Sequence, residues 1–208
     1  MPSKANPEVQ RNFLYDTLMP LIDKAKSGLI QLYFLDASHF VMGGFPGRVW
    51  SIVRKWVKTS SGRQRFNVLG ALNFITKKIE TITNNTYITS TQIIEMLQKL
   101  ATLNAGKSVK VILDNAKYQR CKVVFEAAAL LGIELIYLPT YSPNLNLIER
   151  VWKLVKSRVL NSVYYETFER FSLNIEDCVK NLHSRFSKEV ATLITSKFCV
   201  VDELNVIN

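Results

Sequence analysis

Three acidic residues in this sequence stand at the ends of apolar runs, where side chains can reach the rim of a protein core. Asp36 closes the apolar run at residues 29–35, and Asp114 closes the run at 109–113. Glu149 follows Asp114 after 34 intervening residues and lies near the start of a helical pattern. Carboxylate oxygens suit Mg²⁺, and two divalent ions about 3.5–4 Å apart can activate an attacking oxygen and stabilise a leaving one. The acids therefore predict metal-dependent phosphoryl transfer, with two Mg²⁺ (or Mn²⁺) ions bound by Asp36, Asp114 and Glu149.

Each of these acids also has an ordinary structural interpretation. An aspartate at a strand end is often a turn former, and Glu149 alone would suit an acid that complements the dipole of its helix. Asn115 and Asn146 are candidates to orient the ligands from behind, although capping polarity would also explain Asn146. The shared placement of the three acids favours the functional interpretation.

The elements that must position the acids follow from the hydrophobic pattern. Asn6 and Pro7 begin a helix that Gly28 ends. The five predicted strands cover residues 29–35, 66–72, 77–82, 109–113 and 133–138. The predicted helices between and after them are one capped at Thr89 and reaching about residue 103, one at about 119–131, and one that Pro143 opens and that carries Glu149.

This order of elements predicts an α/β fold with a mixed five-stranded sheet flanked by helices. The first three strands are expected to be antiparallel, and the last connections parallel and right-handed. The chain of 208 residues, 48% of them hydrophobic, can bury one sizeable core. We therefore predict an N-terminal helix over residues 1–28, a catalytic domain over 29–165, and a helical C-terminal extension over 166–208 packed on the same domain.

The charge of the chain favours an anionic partner, since 27 Lys and Arg against 17 Asp and Glu give a net charge of +10. Nucleic acid is the first expectation, ahead of an anionic membrane surface or a merely soluble basic protein. Three widely spaced cysteines favour a reducing cytoplasm, and no apolar run reaches the roughly 18 residues of a membrane span. We expect a cytoplasmic, nucleoid-associated protein without a membrane partner.

Two basic stretches are candidate DNA contacts. No acid occurs from Ala37 to Ile79, and the first stretch within this segment contributes Arg48, Arg54, Lys55, Lys58, Arg63 and Arg65. Trp50, Trp56 and Phe66 are interleaved with it, and aromatic rings can stack on unpaired bases while basic groups bind phosphates. The second stretch contributes Lys153 and Lys156, between Arg150 and Arg158. A solvated face with core aromatics is the structural alternative for both.

Other catalytic classes lack their required residues. The sequence has no G-x-S-x-G motif, no phosphate-binding loop and no metal-type Cys/His cluster, which argues against a serine hydrolase, a nucleoside triphosphatase and a zinc enzyme. His39 lies three residues after Asp36, but metal-assisted transfer needs no histidine base. We therefore expect His39 to be a hydrogen-bonded structural residue.

The residues around the acids resemble a known family. The block L-P-T-Y-S-P-N-L-N-L-I-E-R-V-W at residues 138–152 is similar to the L-P-x-Y-S-P-x-L-N-P-I-E-x-x-W signature of mariner-like bacterial insertion-sequence transposases, which belong to the DDE superfamily of endonucleases. That family also has 34 residues between its second and third acids. The block Y-F-L-D-A-S-H-F at residues 33–40 resembles the family's first-acid strand. The resemblance covers roughly residues 7–165.

The resemblance implies a ribonuclease-H-like fold and metal-assisted DNA strand transfer at insertion-sequence ends. The implied partners are double-stranded DNA, as element ends and target, and further copies of the chain in a homo-oligomer. A ribonuclease-H-like nuclease that cuts without joining is the alternative enzyme. A catalytically silent DNA-binding or oligomerisation remnant of a degraded element is the non-enzymatic alternative.

Two departures from the family pattern stand out. Leu147 occupies the usual proline position, which weakens the definition of the helix start without touching the acids. Only one predicted helix precedes Asp36, where the family carries a helix-turn-helix DNA-recognition region. We expect either the downstream half of a protein encoded in two overlapping frames, with a separately encoded helix-turn-helix partner, or a decayed copy.

Overall fold

A computed structural model of the chain describes residues 6–43, 52–53, 56 and 64–198. Five strands run over Gln31–Met42 (β1), Gln64–Asn73 (β2), Ile79–Asn84 (β3), Val109–Leu113 (β4) and Ile133–Tyr137 (β5). The helices are Pro7–Phe13 (α1), Met19–Lys26 (α2), Ser90–Leu103 (α3), Lys122–Leu130 (α4), Ile148–Val159 (α5), Phe168–Lys180 (α6), Leu182–Arg185 (α7) and Ser187–Leu193 (α8).

The five strands form one mixed sheet in the order β3-β2-β1-β4-β5. The pairs β3–β2 and β2–β1 are antiparallel, whereas β1–β4 and β4–β5 are parallel. The predicted α/β class and the mixed five-stranded sheet are therefore confirmed.

Helices cover both faces of this sheet. Along β1, Leu32, Phe34 and Phe40 share one core with α2, α5 and α6, while Tyr33 and Leu35 share another with α3 and α4. This alternation is the period of two that a strand imposes on its side chains. Asp36 has the same parity as Phe34 and therefore points toward the α5 side of the sheet.

The N-terminal helix is interrupted where a proline enters it. The side chain of Asn6 caps α1 as predicted, accepting hydrogen bonds from the backbone N–H groups of Glu8 and Val9. Residues 14–18 then form a π-helical turn before α2, and Pro20 stands in the first turn of α2. A proline inside a helix has no N–H to donate and clashes with the preceding turn, and a wider π turn accommodates it.

Two predicted boundaries are wrong. Strand β1 does not end before Asp36 but continues to Met42, because its antiparallel pairing with β2 extends to Met42 opposite Gln64. Pro143 does not open the helix of Glu149, since residues 143–145 form a separate 3₁₀ turn and α5 begins at Ile148. Asn146 between them has an extended backbone, which interrupts helical hydrogen bonding.

The C-terminal helices pack against α5. Arg150 of α5 donates hydrogen bonds to the carbonyl oxygens of Leu193 and Lys197, and its guanidinium lies over the ring of Phe198. The boundaries at residues 28 and 165 stay predictions. Among the described residues, no helix combines the length and the apolar character that crossing a membrane requires.

Candidate active site

The three predicted acids line a single cavity of about 320 Å³. Asp36 comes from β1, Asp114 directly follows β4, and Glu149 lies in the first turn of α5. The rest of the lining comes from Asn115 and Ala116 after β4, and from Asn146 and the segment 138–143 between β5 and α5. The structure therefore brings together residues that are up to 113 positions apart in the sequence.

Strand register places the two aspartates side by side. The parallel pairing of β1 with β4 runs as far as Phe34 opposite Ile112, and each aspartate comes two residues later in the chain. Parallel strands end at the same edge of a sheet, and crevices open at that edge. Asp36 and Asp114 consequently reach the same cavity, although Asp36 lies within a strand and Asp114 after one.

A glycine opposite Asp36 allows α5 to lie close to the sheet. Gly70 on β2 pairs with Asp36, and a Cβ atom at Gly70 would lie 2.6 Å from Cζ2 of Trp152 and 2.9 Å from Cδ1 of Ile148. Trp152 is almost completely buried and belongs to the same α5 face as Ile148. The absence of a side chain at Gly70 thus admits the indole, which fixes the helix that carries Glu149.

The acids repel one another in a partly dry environment. Burial, followed by the neighbouring carboxylates of Glu149 and Asp114, raises the pKa of Asp36 to about 8. The Ala37 backbone N–H and the Trp152 indole act in the opposite direction, although the indole N–H does not complete a hydrogen bond with good geometry. Burial also raises the pKa of Asp114. A cation between these groups would relieve the repulsion.

The two predicted orienting asparagines tie loops to the sheet. Asn115 donates a hydrogen bond from its amide to the carbonyl of Leu138 and accepts one from Arg120 at 3.1 Å. Asn146 donates a hydrogen bond from Nδ2 to the carbonyl of Leu35 at 3.3 Å, and Leu35 is the residue directly before Asp36. These bonds hold the loop after β4 and the loop before α5 in place around the acids.

Two buried glutamines near the site were not anticipated from the sequence. Gln119 is fully buried, and its amide lowers the pKa of Asp114 against the larger effect of burial. Gln10 of α1 is 1% exposed and bonds to the segment that lines the cavity. The signal for Gln10 was its place on the apolar helical stripe that continues through Leu14 and Leu18. No comparable pattern marks Gln119.

The predicted DNA contacts have mixed outcomes. Arg48, Arg54, Lys55, Lys58 and Arg63 lie outside the described residues, as does Trp50.

Among the described basic residues, Arg65 and Lys153 are exposed, whereas Lys156 is partly buried with its ammonium 5.8 Å from the centre of the Phe40 ring. No described lysine or arginine lines the cavity. Phe66 is buried and packs edge-on against Phe168 at 6.5 Å, so its interpretation as a base-stacking residue is wrong. These positions leave Arg65 and Lys153 as the most accessible of the described candidates.

His39 points to the opposite face of β1 from Asp36 and does not line the cavity. Its Nδ1 lies 2.6 Å from Oδ1 of Asn67, whose Nδ2 donates to Oδ1 of Asn84 and to the carbonyl of Thr86. Because the Asn67 amide nitrogen is already donating, its oxygen must accept from a protonated Nδ1 of His39. The hydrogen bond is the structural arrangement expected for this histidine.

The three acids suit a divalent ion that keeps several water ligands better than an ion bound by protein ligands alone. Among residues 6–43, 52–53, 56 and 64–198, no group of three His, Cys, Asp or Glu side chains is close enough to hold one ion by itself. However, Oδ1 of Asp114 is buried without a hydrogen-bond partner beside this cavity. Mg²⁺ keeps several waters and binds through one or two carboxylates plus substrate phosphates. The acids fit that mode.

Comparisons with known proteins identify the family and support the fold. A family model described as DDE superfamily endonuclease matches residues 31–172, which include all three acids. The chain is similar to Mos1 transposase in a paired-end complex with the left transposon end, with a TM-score of 0.61 and 14% identity over 93% of this chain and 64% of that one.

The catalytic domain of Mos1 mariner transposase is similar over 94% of this chain and 98% of that domain, with a TM-score of 0.53 and 14% identity. A Mos1 mariner paired-end complex with Mn has a TM-score of 0.56 and 13% identity, over 94% of this chain and 65% of that one. These similarities show the fold. The chain spans less than two thirds of the length of the longer Mos1 chains. No curated protein sequence matches.

Proposed function

Because the chain belongs to the DDE superfamily of endonucleases and has the fold of a mariner transposase catalytic domain, we propose that it cleaves DNA at insertion-sequence ends and joins the cut strands to a target. The observation that supports this most strongly is the convergence of Asp36, Asp114 and Glu149 on one cavity. The three acids come from separate parts of the chain. The register of β1 with β4 brings the two aspartates together, and the packing of Trp152 against Gly70 holds the helix that carries Glu149.

The three acids are the proposed ligands of two Mg²⁺ or Mn²⁺ ions. Such ions, when bound, activate an oxygen nucleophile and stabilise the leaving oxygen of a phosphodiester. A Mos1 complex with Mn among the similar structures supports the choice of a divalent ion. In this chain, Oδ1 of Asp114 has no hydrogen-bond partner, and the carboxylates repel one another. Both features favour the binding of cations.

The other residues of the site act by positioning. Asn146 holds the loop before α5 against β1, and Asn115 holds the loop after β4 against the end of β5. Trp152 fixes α5 on the sheet. The position of the Glu149 carboxylate relative to the two aspartates is therefore fixed as well. Phosphoryl transfer of this kind depends on alignment and charge neutralisation and needs no covalent protein intermediate.

The proposed partners are double-stranded DNA, as element ends and target, and a second copy of the chain. The net charge of +10 and the acid-free segment 37–79 support DNA binding, because basic groups offset the repulsion between DNA phosphates and the acids. The similar Mos1 transposase forms a paired-end complex with a transposon end, which supports assembly of two protomers. A helix-turn-helix partner and a cytoplasmic, nucleoid-associated location belong to the same proposal.

An assay with DNA carrying the sequences at both ends of the element tests this function. Purified protein with Mg²⁺ should cut the labelled ends and then join them to a target plasmid. Asp114→Asn should abolish both steps and leave DNA binding intact, since the amide keeps the shape but loses the charge. An exposed aspartate, Asp23→Asn, is the matched control.

Each alternative has its own outcome in this assay. Cutting without any joined product identifies a nuclease that does not transfer strands. Binding without cutting, even with a helix-turn-helix partner supplied, identifies a silent remnant. Full cleavage by Asp114→Asn would show that the acids are not the metal site.

A further inference from the structure

Tyr141 lies at the mouth of the cavity in a conformation that tyrosine rarely adopts. Its φ of 59° is in the left-handed region, which costs a residue with a Cβ atom free energy that glycine avoids. Tyr141 is one of the residues that line the cavity with the three acids, and it is 50% exposed. Burial of the Tyr141 ring therefore does not offset the free-energy cost of this backbone conformation.

A buried glutamine holds the Tyr141 segment in place. The amide Nε2 of Gln10 donates a hydrogen bond to the carbonyl of Tyr141 at 3.2 Å, and its Oε1 accepts one from Nδ2 of Asn144 at 3.0 Å. Both ends of one amide are thus used to connect α1 with the segment before α5. Because Gln10 is 1% exposed, its end of each bond is shielded from water, and these partly buried bonds are worth more than fully exposed ones.

A strained, exposed aromatic ring beside a phosphoryl-transfer site is suited to contact substrate. Strain of this kind concentrates at functional sites because the surrounding structure enforces it. The Tyr141 ring carries no positive charge, and its neighbours along the cavity include Pro139 and Pro143, so it offers a phosphate group little attraction. An unpaired base has an uncharged π-face, and stacking on an aromatic ring tolerates any base.

We propose that the Tyr141 ring stacks on a nucleotide base unpaired next to the scissile phosphate, and that Gln10 is a positioning residue for this contact. The proposal rests on the proposed DNA-cleaving function and assigns a DNA contact within the site itself. It also gives α1 a role in substrate binding, through one amide that reaches the mouth of the cavity.

The test uses duplexes with the terminal sequence of the element, in which 2-aminopurine replaces each base near the cleavage point in turn. Complexes are formed in EDTA, and fluorescence reports whether that base is stacked. At one position, the complex of Tyr141→Ala should be brighter than the wild-type complex, and its DNA affinity should fall by between about 5-fold and 150-fold. Tyr141→Phe should match wild type, because the ring is kept.

Gln10→Leu removes both hydrogen bonds but keeps a similar volume. It should raise the fluorescence at the same position as Tyr141→Ala, whereas the affinity for Mn²⁺, measured by calorimetry, should stay at the wild-type value. Tyr164→Ala is the matched control, because Tyr164 is 45% exposed and follows the far end of α5 from Glu149. Thermal unfolding of each variant shows that the fold is retained.

Several results would overturn the stacking. If Tyr141→Phe loses as much affinity as Tyr141→Ala, the hydroxyl and not the ring makes the contact. If wild type cleaves DNA but no 2-aminopurine position responds to Tyr141→Ala, the ring does not stack. A wild-type protein that neither binds nor cleaves the duplex would instead refute the proposed function, and that failure is visible without any variant.

Discussion

Replacing Asp36 by asparagine should stabilise the metal-free protein while it abolishes catalysis. The carboxyl ionises near pH 3.8 in the unfolded chain, whereas burial and the neighbouring acids raise its pKa to about 8 in the fold. The unfolded state therefore binds fewer protons between these values, and stability falls as pH rises from about 4 to 8. At pH 7 the difference is about 3 pKa units, or about 4 kcal/mol at 1.36 kcal/mol per unit.

Asparagine cannot ionise, so Asp36→Asn should lack this pH-dependent loss. Thermal unfolding in EDTA should give equal stability for the two proteins near pH 4 and a melting temperature about 8–16 °C higher for the variant at pH 7. Asp23→Asn, at an exposed acid, should follow the wild-type curve. Parallel pH curves for wild type and Asp36→Asn would refute the claim that the folded site disfavours this charge.

Two further predictions concern the packing of α5 and its outer face. Gly70→Ala should lower the free energy of unfolding by about 1–3 kcal/mol in denaturant titrations, because the new Cβ would overlap buried Trp152; an unchanged midpoint would show that the indole does not need this space. Lys153→Ala should reduce the slope of log affinity against log salt by about 0.9, since one phosphate contact is lost, and an unchanged slope would remove Lys153 from the DNA surface.

The parts of the fold that depend on local pattern could be predicted from the sequence. The Asn6 and Thr89 caps, the five strands and the parallel β4–β5 connection all follow from short-range signals. The end of β1 could not, because Asp36 and the polar residues after it resemble a turn until β2 pairs with them. Pro143 was misleading for a similar reason, since a proline that suits a helix start also suits a 3₁₀ turn.

The residues of the site also fall into those that the sequence identifies and those that only the structure shows. Spacing and motif residues identified Asp36, Asp114 and Glu149, which the structure brings to one cavity. The roles of Gly70 and Gln10 depend on contacts with α5 and with the 141–144 segment, which are distant in sequence. A lone glycine in a strand, or a glutamine in a helix, does not reveal such a partner.

Cleavage of end-labelled element DNA across a Mg²⁺ titration, by wild type and Glu149→Gln, tests the central claim most directly. The wild-type rate should rise from zero with Mg²⁺, and Glu149→Gln should show no cleavage at any concentration while it binds DNA normally. Glu169→Gln, in the first turn of α6, should behave as wild type. Metal-independent cleavage, or wild-type cleavage by Glu149→Gln, would contradict the assignment of a three-acid, metal-dependent site.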